Sequence, residues 1–364
     1  MKILVVQDRL RSGGTERQSV LLANAFAADG HPTTLLTFRP GGPLAATVTP
    51  AVARMILQPV DTGLDWFAPG LPAAAAALRP DVILCMGRMA NCYAGGLQRR
   101  LPSTGVLATM RTGKPLPFLF RRSLRLAAHI VANSQDARAT LLAQHALPGE
   151  KISVIHNSLV FPAEASLTRN AALRARHGAT PTTTVLLNVA MFRPEKNQRE
   201  LVEIAAGLPA GLDWQLWLAG DGPARPACEA VVRRLNLTAR VRFPGFHRDP
   251  SSLYAAADLA VHASWSEALS NFLIEAQAHG LPAVAYEAQG NRECFVPDRT
   301  GWTVARHDRT AFRAALARLV AEPATARAVR AAEARGYART TFDPARQVAA
   351  YLALFTRLAA RPVR

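Results

Sequence analysis

Two glutamates, Glu267 and Glu275, stand eight residues apart around the expected start of a helix. Ser270 or Asn271 can cap this helix, so Glu267 lies on the loop before it and Glu275 inside it. Eight residues of helix would separate the carboxylates by about 12 Å, whereas a retaining glycosidase needs roughly 5–5.5 Å. The pair therefore does not fit a two-carboxylate hydrolase. The free N–H groups of the first helical turn instead predict a site for an anionic leaving group, with Glu267 holding a neutral polyol.

Two cations, Arg193 and Lys196, follow the apolar run 185–190 where a strand gives way to a helix. At such a junction they can clamp a diphosphate, and solvated surface charge is the alternative interpretation. Lysine occurs at only four positions, 2, 114, 151 and 196, so 39 of the 43 cationic residues are arginine. This scarcity makes the lysine at 196 more informative than any single arginine.

A glycine pair, Gly13 and Gly14, follows the first apolar run and opens a helix. Adjacent glycines let the backbone approach a ligand, and the helix N-terminus offers N–H groups to a phosphate; a plain turn is the alternative. The pair belongs neither to a GxGxxG fingerprint nor to a P-loop. The Gly220–Pro223 turn is interpreted as structural, and Gln289–Glu293 as one more loop at a helix entry.

Short apolar runs alternate with helix-patterned segments along the whole chain, which is typical of parallel α/β sheets. Strands are predicted near 2–7, 33–38, 81–86, 105–110, 129–133, 152–156, 184–190, 214–219, 240–243, 259–263, 283–286 and 301–304. Helices are predicted near 15–28, 135–145, 197–207, 223–236, 271–279, 309–321, 324–340 and 344–358.

The 364 residues suffice for two domains, and a polar, turn-rich stretch at 161–181 predicts the linker between them. We therefore expect an α/β protein with two doubly wound, Rossmann-like domains at 1–165 and 166–343, and a last segment at 344–364. Such domains would face a cleft and bind ligands at the carboxyl ends of their strands.

The formal charge of +17 raises the possibility of a nucleic-acid-binding protein. Residues 1–165 carry 17 cationic and 9 anionic side chains, and the remainder carries 26 and 17. Charge spread so evenly argues against a single basic stripe, and no aromatic-interleaved recognition motif accompanies it. We therefore expect no nucleic-acid partner.

The four cysteines form no zinc-site spacing, the first apolar run is too short for a signal peptide, and no stretch of 18 apolar residues occurs. These observations favour a cytoplasmic protein. One segment, 116–126, places aromatic residues beside Arg121, Arg122 and Arg125. It predicts either peripheral binding to an anionic inner membrane face or a half-buried helix with a solvated side.

The motifs in this order resemble the family-4 retaining glycosyltransferases of GT-B fold. The resemblance is strongest over 185–305, where the family's Glu-Lys loop, Gly-Asp-Gly-Pro turn, Glu-x7-Glu stretch and Gly-Asn-x-Glu loop recur. They match Ala190–Asn197, Gly220–Pro223, Glu267–Pro282 and Gly290–Glu293. Three N-terminal stretches, Gly13–Glu16, Ala132–Ser134 and Val154–Asn157, match as well.

The resemblance implies roles for individual residues. Lys196 with a nearby arginine would hold the donor diphosphate, Glu275 the nucleotide ribose, and Glu267 the transferred sugar. Backbone N–H groups would surround the phosphates and sugar, at Gly13, Gly14, Leu269, Ser270, Asn271, Phe272 and Leu273. The last helix would cross back onto the N-terminal domain.

Two departures from the family pattern stand out. The usual arginine falls on Met191, so Arg193 is the candidate substitute. The usual histidine after a strand of the first domain falls on Arg111, which can stabilise charge in the cleft but is a poor proton acceptor.

The implied activity is transfer of a sugar, from a UDP-type donor, to a glycan or lipid-linked acceptor in cell-surface polysaccharide synthesis. No Asp-x-Asp pair occurs among the 13 aspartates, so neither a metal nor another cofactor is expected. A sugar-nucleotide epimerase or hydrolase on the same scaffold is the alternative.

Overall fold

A computed structural model describes residues 1–360, and positions 361–364 of the predicted segment 344–364 lie outside the described residues. The chain divides into two units, Met1–Ser158 with Pro344–Arg364, and Leu159–Asp343. The first unit is therefore assembled from both ends of the described chain, whereas the second is continuous.

The first unit contains a seven-stranded parallel sheet. Its strands are β1 (Ile3–Gln7), β2 (Thr33–Thr37), β3 (Ala53–Ile56), β4 (Val82–Cys85), β5 (Gly105–Met110), β6 (His129–Ala132) and β7 (Ile152–Val154). They lie in the order β3-β2-β1-β4-β5-β6-β7. The helices between them are α1 (Gly14–Ala28), α2 (Leu71–Leu78), α3 (Arg88–Arg100), α4 (Phe118–Leu126) and α5 (Gln135–His145).

The second unit contains a six-stranded parallel sheet. Its strands are β8 (Thr184–Val189), β9 (Trp214–Ala219), β10 (Val241–Gly245), β11 (Leu259–His262), β12 (Ala283–Tyr286) and β13 (Gly301–Val304). They lie in the order β10-β9-β8-β11-β12-β13. The helices are α6 (Ala171–Arg176), α7 (Gln198–Ala206), α8 (Arg225–Arg234), α9 (Ser251–Ala256), α10 (Asn271–Ala278), α11 (Arg309–Val320) and α12 (Ala324–Thr341).

Both sheets have an apolar core on each face. In β1, Leu4 and Val6 belong to one buried cluster while Ile3 and Val5 belong to another. Successive side chains of a strand point to opposite faces, so a strand covered on both sides needs a continuous apolar run. This is why the central strands were visible in the sequence as uninterrupted apolar segments.

The last helix, α13 (Pro344–Ala359), returns to the first unit, as predicted. Its Tyr351 and Phe355 are fully buried and pack edge-on or tilted against Phe26 of α1, with ring centroids 6.2 and 5.4 Å away. These aromatic contacts complete one face of the first sheet, which explains the helix pattern without a following strand.

β3 and α3 were not predicted, nor were the short helices α2, α6 and α9. β3 lies at the sheet edge and three of its four residues are exposed, so it lacks the apolar run of a buried strand. α3 contains Gly95, where a Cβ would come within 2.9 Å of Ser123 Cα and Leu126 Cβ of α4. The glycine lowers helix propensity, but it permits the two helices to approach closely.

A half-buried carboxylate caps α3 from another part of the chain. The helix follows Gly87, which has no side chain to cap it, and Asp8 instead accepts N–H bonds from Met89 at 3.1 Å and Ala90 at 2.7 Å. Burial raises the pKa of Asp8 to about 7, against the effect of the two N–H bonds. The protonated acid is therefore favoured in the folded state relative to the unfolded chain.

An Asp8→Asn variant should show a weaker pH dependence of stability than the wild type. A carboxyl whose pKa is raised on folding contributes stability at low pH that is lost as pH rises through about 7. Urea unfolding at pH 5, 6 and 8 measures the slope, with Asp81→Asn as the control for an exposed carboxylate that accepts one backbone N–H. Equal slopes in the wild type and Asp8→Asn would contradict the assignment.

Candidate functional site

The structure joins Lys196 and Glu267, which lie 71 positions apart in the chain. Glu267 stands on the loop between β11 and α10, and its Oε1 accepts a hydrogen bond from Lys196 Nζ at 2.5 Å. The same oxygen lies 2.8 Å from Nε2 of His262, the last residue of β11. Two donors from different parts of the second unit therefore converge on one carboxylate oxygen.

Charge compensation keeps Glu267 ionised. Burial alone would raise its pKa, but the Lys196 charge and the His262 hydrogen bond outweigh burial and hold the pKa of Glu267 well below its usual value. Burial lowers the pKa of His262, which is only partly opposed by Glu267. At neutral pH the site thus contains a carboxylate, an ammonium group and a neutral imidazole.

The loop that carries Lys196 rests on the Gly220–Pro223 turn. Phe192 N donates to Asp221 O at 2.9 Å, and Ala224 N donates to Phe192 O at 3.1 Å. Gly222 has φ +146°, and a Cβ there would collide with the Phe192 carbonyl. This supports the structural interpretation of the turn, since its glycines let two backbone segments lie in contact.

The Lys196 loop is also bonded to the loop of Glu267. The carbonyl of Glu195 accepts hydrogen bonds from Trp265 N and Ser264 Oγ, both at 3.1 Å. These bonds hold the two loops together on the residues next to Lys196 and Glu267. The two loops that carry Lys196 and Glu267 are consequently bonded to each other at a second place, apart from the contact between the charged groups.

α10 begins where the sequence predicts. Ser270 is its N-cap, and Ser270 Oγ accepts a hydrogen bond from Leu273 N at 3.4 Å. Its first turn therefore lies directly after Glu267. Of the five residues at 269–273 that are proposed to offer backbone N–H groups, four are buried and Asn271 is half-buried.

Glu275 lies in α10 and has neighbours different from those of Glu267. The hydroxyl group of Tyr254 in α9 donates a hydrogen bond to Glu275 Oε2 at 2.7 Å. The Tyr254 ring is stacked between Phe272 and His279, with centroids 6.1 and 4.6 Å away. The two glutamates are thus held by separate sets of side chains, which fits separate binding tasks.

The remaining predicted residues are not joined to Glu267. Arg193 is exposed on the Lys196 loop. In the first unit, Gly13 is the N-cap of α1 and Gly14 its first residue. Arg111 follows β5, where its guanidinium donates to Tyr351 Oη at 2.7 Å and to the side-chain oxygen of Asn157. The catalytic role of Arg111 stays a prediction, and its hydrogen-bond partners are neutral.

Sequence reasoning missed His262 and Tyr254. His262 is the only polar residue of the apolar strand β11 and lies five residues before Glu267. A polar side chain at the end of an apolar strand was the signal that could have identified it. Tyr254 precedes its partner by 21 positions and lies in a helix too short to show a periodic pattern, so no signal pointed to it.

Metal-ligating residues do not cluster in the part of the chain that the structure describes: no group of three or more His, Cys, Asp and Glu side chains is placed to hold an ion. Within residues 1–360, moreover, no helix has both the length and the apolar character to cross a membrane.

Two family profiles cover most of the chain. The profile of the glycosyl transferases group 1 matches residues 170–336, and that of glycosyltransferase family 4 matches residues 12–159. The chain belongs to the family-4 glycosyltransferases. The first match includes Lys196, His262, Glu267 and Glu275, and the second includes the Gly13–Gly14 pair.

Curated relatives within this family match parts of the chain. The lipopolysaccharide core biosynthesis glycosyltransferase LpsE of Rhizobium meliloti is 30% identical over 149 residues, 41% of this chain and 43% of its own length. The alpha-D-kanosaminyltransferase of Streptomyces kanamyceticus is 30% identical over 208 residues, 56% of this chain and 54% of its own. The matched part thus spans about half the length of these relatives.

Solved structures match over nearly the full length. Anabaena Alr3699/HepE, crystallised in complex with UDP, is 21% identical with a TM-score of 0.82, covering 98% of this chain and 100% of that chain. WaaG, a glycosyltransferase involved in lipopolysaccharide biosynthesis, is 18% identical with a TM-score of 0.75, covering 98% and 100%. These likenesses confirm the predicted GT-B fold class with its two Rossmann-like parallel sheets.

Lys196 and Glu267 should show strong energetic coupling in a double-mutant cycle. Lys196→Met leaves a largely buried carboxylate with one donor fewer, so we expect a loss of about 1–3 kcal/mol that Lys196→Met/Glu267→Gln partly restores. Urea unfolding of the four proteins measures the coupling. The exposed pair Arg339 and Glu164 is the control, with a coupling of at most about 0.5 kcal/mol. Equal coupling energies for the two pairs would contradict the prediction that Lys196 and Glu267 interact more strongly than an exposed ion pair.

Proposed function

We propose that this family-4 member transfers a sugar, with retention, from a UDP-sugar to a hydroxyl of a glycan or lipid-linked acceptor in cell-surface polysaccharide synthesis. One observation carries the proposal. Glu267 Oε1 holds the two donors Lys196 and His262, while no hydrogen bond from residues 1–360 reaches Oε2. An ionised, oriented carboxylate with one oxygen available is suited to bind a hydroxyl of the transferred sugar.

The diphosphate would lie between Lys196 and the first turn of α10. Negative charge grows on the leaving diphosphate during transfer, and a fixed ammonium group with helix N–H groups stabilises such charge. An ammonium group carries three protons, so Lys196 can keep its hydrogen bond to Glu267 and also bind a phosphate oxygen. The exposed Arg193 is the proposed second cation.

Glu275 would bind the ribose hydroxyls. Its Oε2 already accepts the Tyr254 hydroxyl, which fixes the carboxylate beside the first turn of α10. The proposal of a UDP-type donor is supported by Alr3699/HepE, which has been solved with UDP and with UDP-glucose. The glycan acceptor is supported by the naming of LpsE and WaaG for lipopolysaccharide biosynthesis.

In the first unit, Gly13 and Gly14 at the start of α1 are proposed to meet the donor, and Arg111 to stabilise charge near the reacting groups. Proton removal from the acceptor would fall to the leaving phosphate, since an arginine is a poor base. We propose that neither a metal nor another cofactor takes part, so the assay below runs in EDTA.

Replacing the site residues should separate catalysis from nucleotide binding. With a UDP-sugar donor in EDTA, Lys196→Ala and Glu267→Gln should each lower kcat/KM by about 100-fold, because each removes a charged contact to the reacting part of the donor. Glu275→Gln should mainly raise KM for the donor. Arg234→Gln, at an exposed position, is the control.

Product analysis with and without acceptor distinguishes the alternatives. An isomerised nucleotide sugar would indicate an epimerase, and free sugar without acceptor a hydrolase. Full transfer by Lys196→Ala and Glu267→Gln would refute the site assignment, and loss of transfer when EDTA is added would refute metal independence.

We also propose that α4 binds an anionic membrane surface, at the inner face of the cytoplasmic membrane. Phe118 and Leu119 are 66% and 57% exposed at its start, and Arg121, Arg122 and Arg125 are exposed along it. Exposed apolar residues beside cations suit the boundary between lipid headgroups and acyl chains.

Flotation with vesicles containing phosphatidylserine should recover the wild-type protein. Changing Arg121, Arg122 and Arg125 to Gln should remove most of the bound fraction, because each basic residue near such a surface contributes about 1 kcal/mol. The matched control changes the exposed Arg233, Arg234 and Arg248 of the second unit to Gln. Equal loss in both triple variants, or none in the α4 variant, would exclude α4 as the binding surface.

A further inference from the structure

We propose that His262 is a positioning residue, which orients Glu267 so that Oε2 faces the sugar of the donor. The inference rests on the proposed function for the identity of that ligand. Its structural basis is independent of the ligand, since His262 is 1% exposed and its ring nitrogen lies 2.8 Å from Glu267 Oε1.

The neighbours of the ring determine its tautomer. A carboxylate only accepts hydrogen bonds, so Nε2 of His262 must carry the proton that faces Glu267. Nδ1 is then an acceptor, and Asn188 Nδ2 lies 3.4 Å from it. Asn188 Nδ2 also donates to the Val261 carbonyl at 2.8 Å, which fixes which end of the amide faces the imidazole.

Three residues thus form a chain of hydrogen bonds, in which Asn188 of β8 donates to His262 of β11 and His262 donates to Glu267. Asn188 and His262 are both fully buried on adjacent strands of the sheet. The ring also lies against Phe272, with centroids 5.5 Å apart. The Glu267 carboxylate stands on a loop, but its hydrogen bond to His262 ties it to the sheet and limits its movement.

Lys196 and His262 differ in what they can do when a diphosphate binds. Lys196 is 25% exposed at its side chain and would share its protons with the phosphate. His262 has a single N–H, whose nearer partner is Glu267 Oε1 at 2.8 Å, with Ser270 Oγ at 3.4 Å. Its bond therefore persists when the ammonium group turns towards the phosphate, and it keeps Oε1 occupied and Oε2 available.

A buried histidine can also serve packing alone, and the two roles predict different variants. Packing needs only a side chain of similar size, so His262→Leu would be tolerated and His262→Gln would show no advantage over it. Positioning needs an N–H group that faces Glu267. His262→Gln should therefore retain most of the ability to bind the donor sugar, and His262→Leu should lose it. His129→Leu is the matched control, because His129 is 2% exposed and bonds to Ser153 in the first unit.

Nitrogen NMR of the histidine side chains tests the ring without any ligand. We expect the His262 signals to show the neutral Nε2–H tautomer at neutral pH, with any titration below the ordinary histidine midpoint, because burial lowers the pKa of His262. An Nδ1–H tautomer, or titration with an ordinary histidine midpoint near 6.5, would overturn the proposal. This result stands whether or not a UDP-sugar is the donor.

Calorimetry with UDP and UDP-glucose tests the consequence for binding. His262→Leu should bind UDP within about twofold of the wild type but UDP-glucose about 10-fold more weakly or worse, because a hydrogen bond to a charged group is lost. His262→Gln should restore the affinity for UDP-glucose, and His129→Leu should leave both affinities unchanged. An unchanged ratio of the two affinities in His262→Leu would overturn the proposal. If the wild type binds UDP-glucose no more tightly than UDP, the proposed donor class is wrong. The NMR experiment then decides the role of His262.

Discussion

A largely buried carboxylate must be compensated where it stands, and this requirement at Glu267 explains much of the second unit. Removing a carboxylate from water costs several kcal/mol unless charge and hydrogen bonds replace the solvent. Here Lys196 and His262 supply both at the same oxygen. The Lys196 loop must then lie close to the Glu267 loop, and the glycines of the Gly220–Pro223 turn let that turn pack against the Lys196 loop. A turn interpreted as structural therefore supports the loop that carries one of the two charges of the site.

The carboxyl edge of the second sheet separates two kinds of binding. The first turn of α10 offers N–H groups and suits an anion, whereas Glu267 directly before it suits a neutral hydroxylated group. Because both lie within a few residues of the same strand end, an anionic group and its attached polyol can be held side by side. Tyr254 holds Glu275, which adds one more polar group to this part of the second unit. The proposed nucleotide-sugar donor has its charge in the middle and hydroxyls at both ends, which is the same order of groups.

Much of the fold was predictable because buried parallel strands must be apolar throughout. The strand runs and the α10 cap at Ser270 follow from local patterns, the return of α13 follows from the family resemblance, and all three are present in the structure. The edge strand β3 and the glycine-containing α3 were missed, since exposure removed the pattern of one and close packing favoured glycine in the other. At the site, the scarcity of lysine singled out Lys196, but no local pattern shows that it meets Glu267. His262 was interpreted only as the end of a strand, because no local pattern in the sequence shows its contact with Glu267.

The dependence of the first unit on α13 has a consequence for how the protein acquires its structure during synthesis. Phe26 is synthesised well before Tyr351 and Phe355, which cover it. The second unit is continuous in sequence and is complete before they appear. Since domains tend to fold as units while the chain is made, the later half of the sequence should reach its native state first. The N-terminal sheet would keep an apolar face uncovered until α13 has been synthesised, which makes that interval the one most exposed to aggregation.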